Sequence, residues 1–167
     1  MKKKAEKINI NEEIKNTVSE LLSQLSVTCE VEVSEGTLVD EKTGEDKHYI
    51  VNIKTEESGL LIGHHGETIN SIQLLTGIIL YKKLGKWIRV LVDIGDYRKM
   101  REESIKEMVQ RITAEVEQSG RSVELPYLSP LERRIVHMML SQHEKVMSES
   151  YGEGKDRRVL IKPRING

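Results

Sequence analysis

The most informative part of the sequence is the run Gly59-Leu60-Leu61-Ile62-Gly63-His64-His65-Gly66-Glu67-Thr68-Ile69-Asn70. An apolar segment reaches a glycine, two other residues follow, and a second glycine leads into a helical pattern. Two glycines at this spacing allow a tight turn whose backbone can approach another molecule, because no Cβ stands in the way. A turn that feeds a helix also directs backbone N–H groups and the positive end of the helix dipole outward. This arrangement suits a phosphate group.

The segments before this run predict one helix and two strands. Apolar residues recur at helical spacing between Ile14 and Leu25. Apolar and polar residues then alternate over residues 27–34 and 49–55, which is typical of half-buried strands. The polar segment 35–46 between them is interpreted as a hairpin loop.

After the run, a buried helix is predicted from Ile69 to about residue 84, with Leu75 and Ile78 on its buried side. Alternation over residues 88–94 predicts a third strand. The predicted order is therefore helix, strand, strand, short helix, Gly-x-x-Gly turn, helix, strand.

The second half of the chain predicts a long helix and a small α+β unit. Residues 97–118 form an amphipathic pattern, which we interpret as a helix that connects two domains. Ser129-Pro130-Leu131-Glu132 has the spacing of a capping box with proline at the first helical position. The helix that follows is predicted to turn four apolar residues inward, namely Leu131, Ile135, Met138 and Met139.

Arg133 and His137 lie one helical turn apart on the opposite side of that helix, in line with Ser141. Two donors about 6 Å apart match the oxygens of one phosphate or of neighbouring phosphates. A nearby basic segment adds Arg157 and Arg158, and Arg134 follows Arg133 directly. The pattern predicts a phosphate-binding face rather than a catalytic arrangement.

The element order of residues 11–95 resembles that of type II KH domains, which bind single-stranded nucleic acids. Residues 59–69 also resemble the KH motif residue by residue. The resemblance implies that Gly63, His64, His65 and Gly66 contact phosphates, and that the helix from Thr68 to Ser71 lines a groove for bases. In KH loops the two central positions usually include a Lys or Arg, and here they are His64 and His65. Histidine gains charge only below about pH 6.5, so this loop would bind more weakly, or with more pH dependence, than a lysine version.

The segment from Leu125 to Lys162 resembles an Arg-x-x-x-His domain, another single-stranded nucleic-acid binder. The likeness includes Ser-Pro-x-Glu-Arg-Arg-Ile-Val-His, the segment around Ser148 and Ser150, and Arg157-Arg158-Val159. A KH domain followed by this domain resembles the Jag family (SpoIIIJ-associated proteins) over residues 11–163. The expected division is a KH domain at 1–95, a connecting helix at 96–120 and the Arg-x-x-x-His domain at 121–167.

The family resemblance implies a bacterial regulator of RNA linked to cell elongation or division, often with a second small KH protein as partner. Many members carry a further N-terminal domain, so this chain is either a short form or a fragment. The resemblance leaves open whether the strand is RNA, as we expect, or DNA. It also leaves open the RNA sequence preferred and whether the chain self-associates.

Composition agrees with a soluble binding protein. The 167 residues include one cysteine, Cys29, so a disulfide framework is excluded and a reducing cytoplasm is expected. No apolar run approaches the length of a membrane span. The net charge is −1, but residues 1–57 hold 8 Lys/Arg against 13 Asp/Glu, whereas residues 120–167 hold 9 against 6. This asymmetry is typical of a basic face on an otherwise acidic protein.

Other function classes find less support in the sequence. Motifs of nucleotide hydrolases, serine hydrolases and zinc proteases are missing, so we expect no enzyme activity and no cofactor. The neighbouring His64 and His65 have no third ligand at a recognisable spacing, so no metal site is expected. A nuclease that uses Asp93 and Asp96 and a protein-interaction module that uses the KH-like surface are the remaining alternatives.

Overall fold

The computed structural model describes residues 9–40 and 44–164 and divides into two units, the first ending at Tyr97 and the second beginning at Arg98. The helices and strands of the described residues follow one another as α1 (Ile10–Gln24), β1 (Glu30–Asp40), β2 (Gly44–Lys54), α2 (Ser58–Ile62), α3 (Glu67–Leu84), β3 (Arg89–Ile94), α4 (Tyr97–Ser119), β4 (Val123–Glu124), α5 (Pro130–Leu140), β5 (Val146–Tyr151) and β6 (Arg158–Pro163). The α+β class predicted from the sequence is confirmed. Of the helices in these ranges, none combines the length and the apolar character needed to cross a membrane.

Unit 1 is built on a three-stranded sheet with the order β1-β2-β3, in which β1 and β2 are antiparallel and β2 and β3 parallel. Ile53 lies between Val31 and Ile94 in the register, and all three side chains are buried. They share a core with α1 and α3, which supply Ile14, Val18, Leu22, Ile69, Ile72 and Leu80. The predicted element order is confirmed, and the sheet buries one face against these helices.

The first hairpin is longer than predicted. The antiparallel register runs from Glu30 opposite Lys54 to Asp40 opposite Gly44, so most of the segment 35–46 is strand rather than loop. Residues 41–43 lie outside the described residues. Backbone groups form an antiparallel ladder whatever the side chains, so a prediction based on apolar alternation underestimates strand length.

Unit 2 contains a second three-stranded sheet, in which β6 pairs antiparallel with both β4 and β5. The apolar side of α4 packs into the core of this unit through Ile105, Val109, Ile112 and Val116. The helix expected to stand between two domains at 96–120 is therefore part of unit 2, which begins near Arg98 rather than at residue 121. A helix with such an apolar side is stable in water only when a neighbour covers it.

The first helical turn of α5 forms as predicted, but the inward side of the helix is only partly the predicted one. The Ser129–Glu132 capping box and the proline at the helix start are both present. The buried residues are Glu132, Val136 and Leu140. Of the four residues predicted to point inward, Ile135 and Met139 do pack against the core, whereas Leu131 and Met138 are each 65% exposed. The row Glu132, Val136 and Leu140 begins with a charged residue, so a prediction based on apolar residues alone does not recognise it as the buried side.

Candidate nucleic-acid interface

The glycine loop (residues 63–66) joins α2 to α3 along a path that needs glycine at both ends. Gly63 has φ of +71° and Gly66 has φ of +81°, a region that residues with a Cβ rarely adopt. A Cβ on Gly63 would lie 2.0 Å from Oγ1 of Thr68, and one on Gly66 would lie 3.0 Å from Oη of Tyr97. Backbone conformation and close packing therefore both select glycine here. The sequence did not indicate the contact with Tyr97, because that residue follows in a separate helix.

The two histidines form the tip of the glycine loop. His64 is exposed and His65 is half-buried, with their ring centroids 4.0 Å apart and their planes at 62°. His65 has φ of +52°, and the backbone N–H of Glu67 donates to the carbonyl of His64, which closes the turn. The first turn of α3 follows, where backbone N–H groups have no acceptor within the helix.

The polar residues expected to line a groove, Thr68 and Ser71, contact the protein's own backbone. Thr68 lies against Gly63, and Oγ of Ser71 donates to the carbonyl of Glu67 at 2.8 Å. A concave surface of about 420 Å³ begins at Asn70, within the predicted segment, and extends further along α3. This surface, the apolar groove, is lined by residues that include Asn70, Gln73, Leu74, Gly77, Trp87, Arg89 and Leu91, with His48 from β2.

Trp87 is the largest side chain in the apolar groove, and it is 58% exposed. A Cβ on Gly77 would lie 3.2 Å from Cη2 of Trp87, so the glycine lets the indole lie close to α3. The side-chain oxygen of Gln73 accepts a hydrogen bond from the backbone N–H of Val92 at 3.0 Å and so joins α3 to β3, an edge strand of the sheet. The sequence left open whether Trp87 belongs to the core or the surface, and the structure places it at the surface.

The outer side of α3 exposes apolar residues that the sequence analysis assigned to the core. Leu75 and Ile78 are 47% and 44% exposed, so their predicted burial is wrong. With Leu74 and Tyr81 they form the apolar row, and the Tyr81 ring lies 6.2 Å from that of Trp87. More of the circumference of α3 is apolar than the core of unit 1 covers.

In unit 2, α5 and β5 border a concave surface of about 580 Å³, the arginine hollow. It is lined by Pro130, Arg133, Arg134, His137, Met138, Ser141, Ser150 and Arg157. The structure thus brings together four side chains that the sequence analysis grouped as a phosphate site, Arg133, Arg134, His137 and Arg157.

The arginine hollow carries positive charge that no carboxylate of the described residues pairs with. Nη1 of Arg133 donates to the carbonyl of Leu128 at 2.7 Å, which holds the guanidinium in place. Within residues 9–40 and 44–164, no carboxylate forms a salt bridge with Arg133, Arg134 or Arg157. Unpaired guanidinium groups around a concave surface favour an anion, and arginine can hold two phosphate oxygens at once.

His137 is held on both sides by serines of β5. Its Nδ1 lies 2.8 Å from Oγ of Ser148, and its Nε2 lies 2.6 Å from Oγ of Ser150. Burial lowers the pKa of His137 below its ordinary value, and the charges of Arg157 and Arg133 lower it further. The imidazole is therefore neutral at pH 7, and the arginines supply the positive charge. The sequence analysis missed the role of the serines, although their i, i+2 spacing puts both on one face of a strand.

Arg158 lies outside the arginine hollow. Its guanidinium carbon is 5.6 Å from the centre of the Tyr127 ring, and its Nη1 donates to the carbonyl of Lys155 at 2.7 Å. It thus contacts the turn before β6, which places Arg157 and Arg158 in different surroundings. Met138 was predicted to point inward, and it instead lines the hollow.

In the part of the chain that the structure describes, no group of three or more His, Cys, Asp and Glu side chains could hold a metal ion. Asp93, one of the two residues considered for a nuclease, accepts the backbone N–H of Ile94 at 2.9 Å.

Comparison with known proteins identifies both units. The model of the KhpA/KhpB KH domain matches residues 11–94, half of the chain, and the model of the Arg-x-x-x-His domain matches residues 103–163. The chain belongs to the Jag/KhpB family. The resemblance predicted from the Gly-x-x-Gly and Arg-x-x-x-His motifs is confirmed. The second match includes most of α4, in agreement with the packing of that helix in unit 2.

Among curated members of the Jag/KhpB family, an "RNA-binding protein KhpB" from Clostridium symbiosum is 36% identical over 116 residues, which are 70% of this chain and 52% of the relative. Proteins of the same name from Bacillus subtilis and Lactiplantibacillus plantarum are 31% identical over 112 residues and 28% identical over 141 residues. These matches cover 66% and 84% of this chain and 54% and 41% of the relatives. The chain thus spans about half the length of the curated relatives it matches.

Proposed function

We propose that this chain binds single-stranded RNA through two phosphate sites, the glycine loop of unit 1 and the arginine hollow of unit 2. The observation that carries the proposal is the hollow, where Arg133, Arg134 and Arg157 surround a neutral histidine without a carboxylate partner in the described residues. The matches to the Arg-x-x-x-His and KhpA/KhpB KH domains, and relatives named RNA-binding proteins, support the same class of ligand.

In unit 1, the backbone of Gly63–Gly66 would approach the phosphates, and the bases would lie in the apolar groove. Trp87 would provide a stacking surface for one base. With one exposed tryptophan and few other aromatic residues, stacking contributes less than phosphate contacts. We therefore expect binding that is sensitive to salt and selects weakly among sequences. Two modest sites on one strand raise the overall affinity through effective concentration.

The role that follows is that of a binding protein without catalytic activity. By family resemblance, we place it in the bacterial cytoplasm as a post-transcriptional regulator linked to cell elongation or division. Single-stranded DNA is the alternative strand, since phosphate contacts alone do not distinguish it from RNA.

Substitutions in either phosphate site are expected to lower the affinity for RNA and to make that affinity less dependent on salt. We expect lower affinity in Arg133→Ala and in the double variant His64→Asp/His65→Asp, which adds negative charge to the glycine loop. Each lost phosphate contact should reduce the slope of log affinity against log salt by about 0.7 for a single strand. The measurement is fluorescence anisotropy of a labelled single-stranded RNA pool at two or more salt concentrations.

Arg121→Ala is the matched control for Arg133→Ala, because Arg121 is exposed and lies outside the arginine hollow. Equal loss in Arg121→Ala would mean that overall charge, rather than the hollow, drives binding. Wild-type protein that fails to bind even at low salt would contradict the proposal. Strand scission that EDTA abolishes would instead indicate a nuclease.

A second candidate function, docking of a protein, is favoured by the apolar row of α3. We expect unit 1 to contact a second copy of the chain through this row, or a second small KH-domain protein. In sedimentation equilibrium, Leu75→Glu/Ile78→Glu should remain monomeric at concentrations where the wild type self-associates, because each glutamate puts a charge into an apolar contact. The control is Lys82→Glu, an exposed change on the same helix. A wild type that is monomeric at all concentrations would contradict self-association.

A further inference from the structure

Ser150 contacts both the arginine hollow and the imidazole of His137. It lines the hollow together with Arg133 and Arg157, and its Oγ lies 2.6 Å from Nε2 of His137. Ser148, on the other side of the same imidazole, does not line the hollow. Ser148, His137 and Ser150 therefore form a row of hydrogen bonds, and the Ser150 end of the row lies at the hollow.

The number of hydrogens in this row limits what each group can do. A neutral imidazole has one N–H donor and one bare nitrogen, so the two serines play different roles. Where Nδ1 is bare, Ser148 donates to it and Nε2–H donates to Ser150. The hydroxyl hydrogen of Ser150 is then available for a group in the hollow. In the other tautomer, Ser150 donates into Nε2 and has no hydrogen to offer.

The charges around the row favour the neutral ring. Arg133 from α5 and Arg157 from the turn before β6 both act on His137, and the groups that β5 turns toward it are the uncharged Ser148 and Ser150. A second positive charge on the imidazole would be repelled by both guanidinium groups. An anion in the hollow thus finds arginines for charge and a hydroxyl for a directed hydrogen bond.

We propose that Ser150 is a direct ligand of the phosphate in the arginine hollow, and that His137 is a positioning residue. His137 donates from Nε2 to Oγ of Ser150, Ser148 donates to Nδ1 and selects this tautomer, and Ser150 donates its hydroxyl hydrogen to a phosphate oxygen. The inference rests on the proposed function of the hollow. It assigns the hydrogen bond from an uncharged side chain to the phosphate to Ser150 rather than to the histidine of the Arg-x-x-x-His motif.

The test compares Ser150→Ala, Ser150→Thr and Ser141→Ala in the full chain, with Arg133→Ala beside them. Ser141 also lines the hollow, but its hydroxyl donates to the carbonyl of Met138 at 2.8 Å, so it is a matched control. The readout is anisotropy of the labelled single-stranded RNA pool. Ser150→Ala should weaken binding about 3- to 10-fold, the effect of one lost hydrogen bond. Ser150→Thr, which keeps the hydroxyl, and Ser141→Ala should bind like the wild type.

A second readout is the ¹⁵N NMR spectrum of the His137 ring without RNA. The proposal requires a bare Nδ1 and a protonated Nε2, and Ser148→Ala should shift this balance toward the other tautomer. A predominant Nδ1–H tautomer in the wild type would overturn the proposal.

Three binding outcomes would contradict this inference, and they differ in what they leave of the proposed function. Normal binding by Ser150→Ala with weak binding by Arg133→Ala would overturn the role of Ser150 and leave the hollow as a phosphate site. Normal binding by both variants would overturn both proposals. Equal loss in Ser150→Ala and Ser150→Thr would show that packing, rather than the hydroxyl, matters at this position, and would also overturn the inference.

Discussion

Arg101→Ala should lower the free energy of unfolding of unit 2 by about 3 to 5 kcal/mol, the cost of leaving a buried charge without its partner. Nε of Arg101 donates to Oε1 of Glu132 at 2.8 Å, and Glu132 is only 7% exposed. The other carboxylate oxygen accepts the backbone N–H of Ser129 at 2.6 Å. One carboxylate therefore joins α4 to the first turn of α5. Urea unfolding of the full chain, followed by circular dichroism, measures the change.

The matched control is Arg111→Ala on the exposed side of the same helix. We expect a change within about 0.5 kcal/mol there, since exposed substitutions of this kind have small effects. A loss below about 1 kcal/mol in Arg101→Ala, on the scale of an exposed ion pair, would contradict the buried pair.

The Arg101–Glu132 pair also makes the stability of unit 2 depend on pH in the acid range. Burial alone would raise the pKa of Glu132, but hydrogen bonds from Arg101 and Ser129 outweigh it and lower the pKa below its ordinary value. Because the folded state holds the carboxylate in its charged form, this stabilisation is complete above the ordinary pKa, about 4.3, and is lost as the pH falls through the lower folded value. In Glu132→Gln, which removes the titrating group, the decline of stability below this pH should be smaller than in the wild type.

Gly63→Ala should destabilise unit 1 by about 1 to 3 kcal/mol, the cost of a residue held in a backbone conformation that only glycine adopts readily. Gly63 has φ of +71° and ψ of −173°, and a Cβ there would lie 2.0 Å from Oγ1 of Thr68. Either the glycine loop or the start of α3 must move, so the proposed RNA affinity should fall as well. Thermal unfolding and RNA anisotropy on the same preparation measure the two effects.

Gly59→Ala is the matched control, because Gly59 lies within α2 and a Cβ there would meet nothing within 4 Å. Alanine is favoured over glycine in a helix by roughly 0.5 to 1 kcal/mol, so this variant should be as stable as the wild type or slightly more stable. If Gly63→Ala were as stable as the wild type and bound RNA equally well, the requirement for glycine at position 63 would be contradicted.

The sequence alone predicts those features that depend on residues close together in the chain. The capping box needs only Ser129 and Glu132, three residues apart, and the glycine loop needs only the turn between two helical patterns. Apolar periodicity likewise predicts the order of helices and strands. The family was found by resemblance, from the element order and from the longer matches around the Gly-x-x-Gly and Arg-x-x-x-His motifs, and those matches include most of the side chains around the arginine hollow.

Other features depend on contacts between distant segments, and these required the folded structure. Glu132 looks like half of a capping box in the sequence, but in the structure it also pairs with Arg101, 31 residues earlier. His137 resembles an exposed phosphate ligand until β5 places Ser148 and Ser150 against both ring nitrogens. Leu75 and Ile78 fit a core pattern, yet the core of unit 1 covers only the other side of α3. Periodicity shows which residues share a face of a helix or strand, but only packing between segments determines which face is buried and which partners it meets.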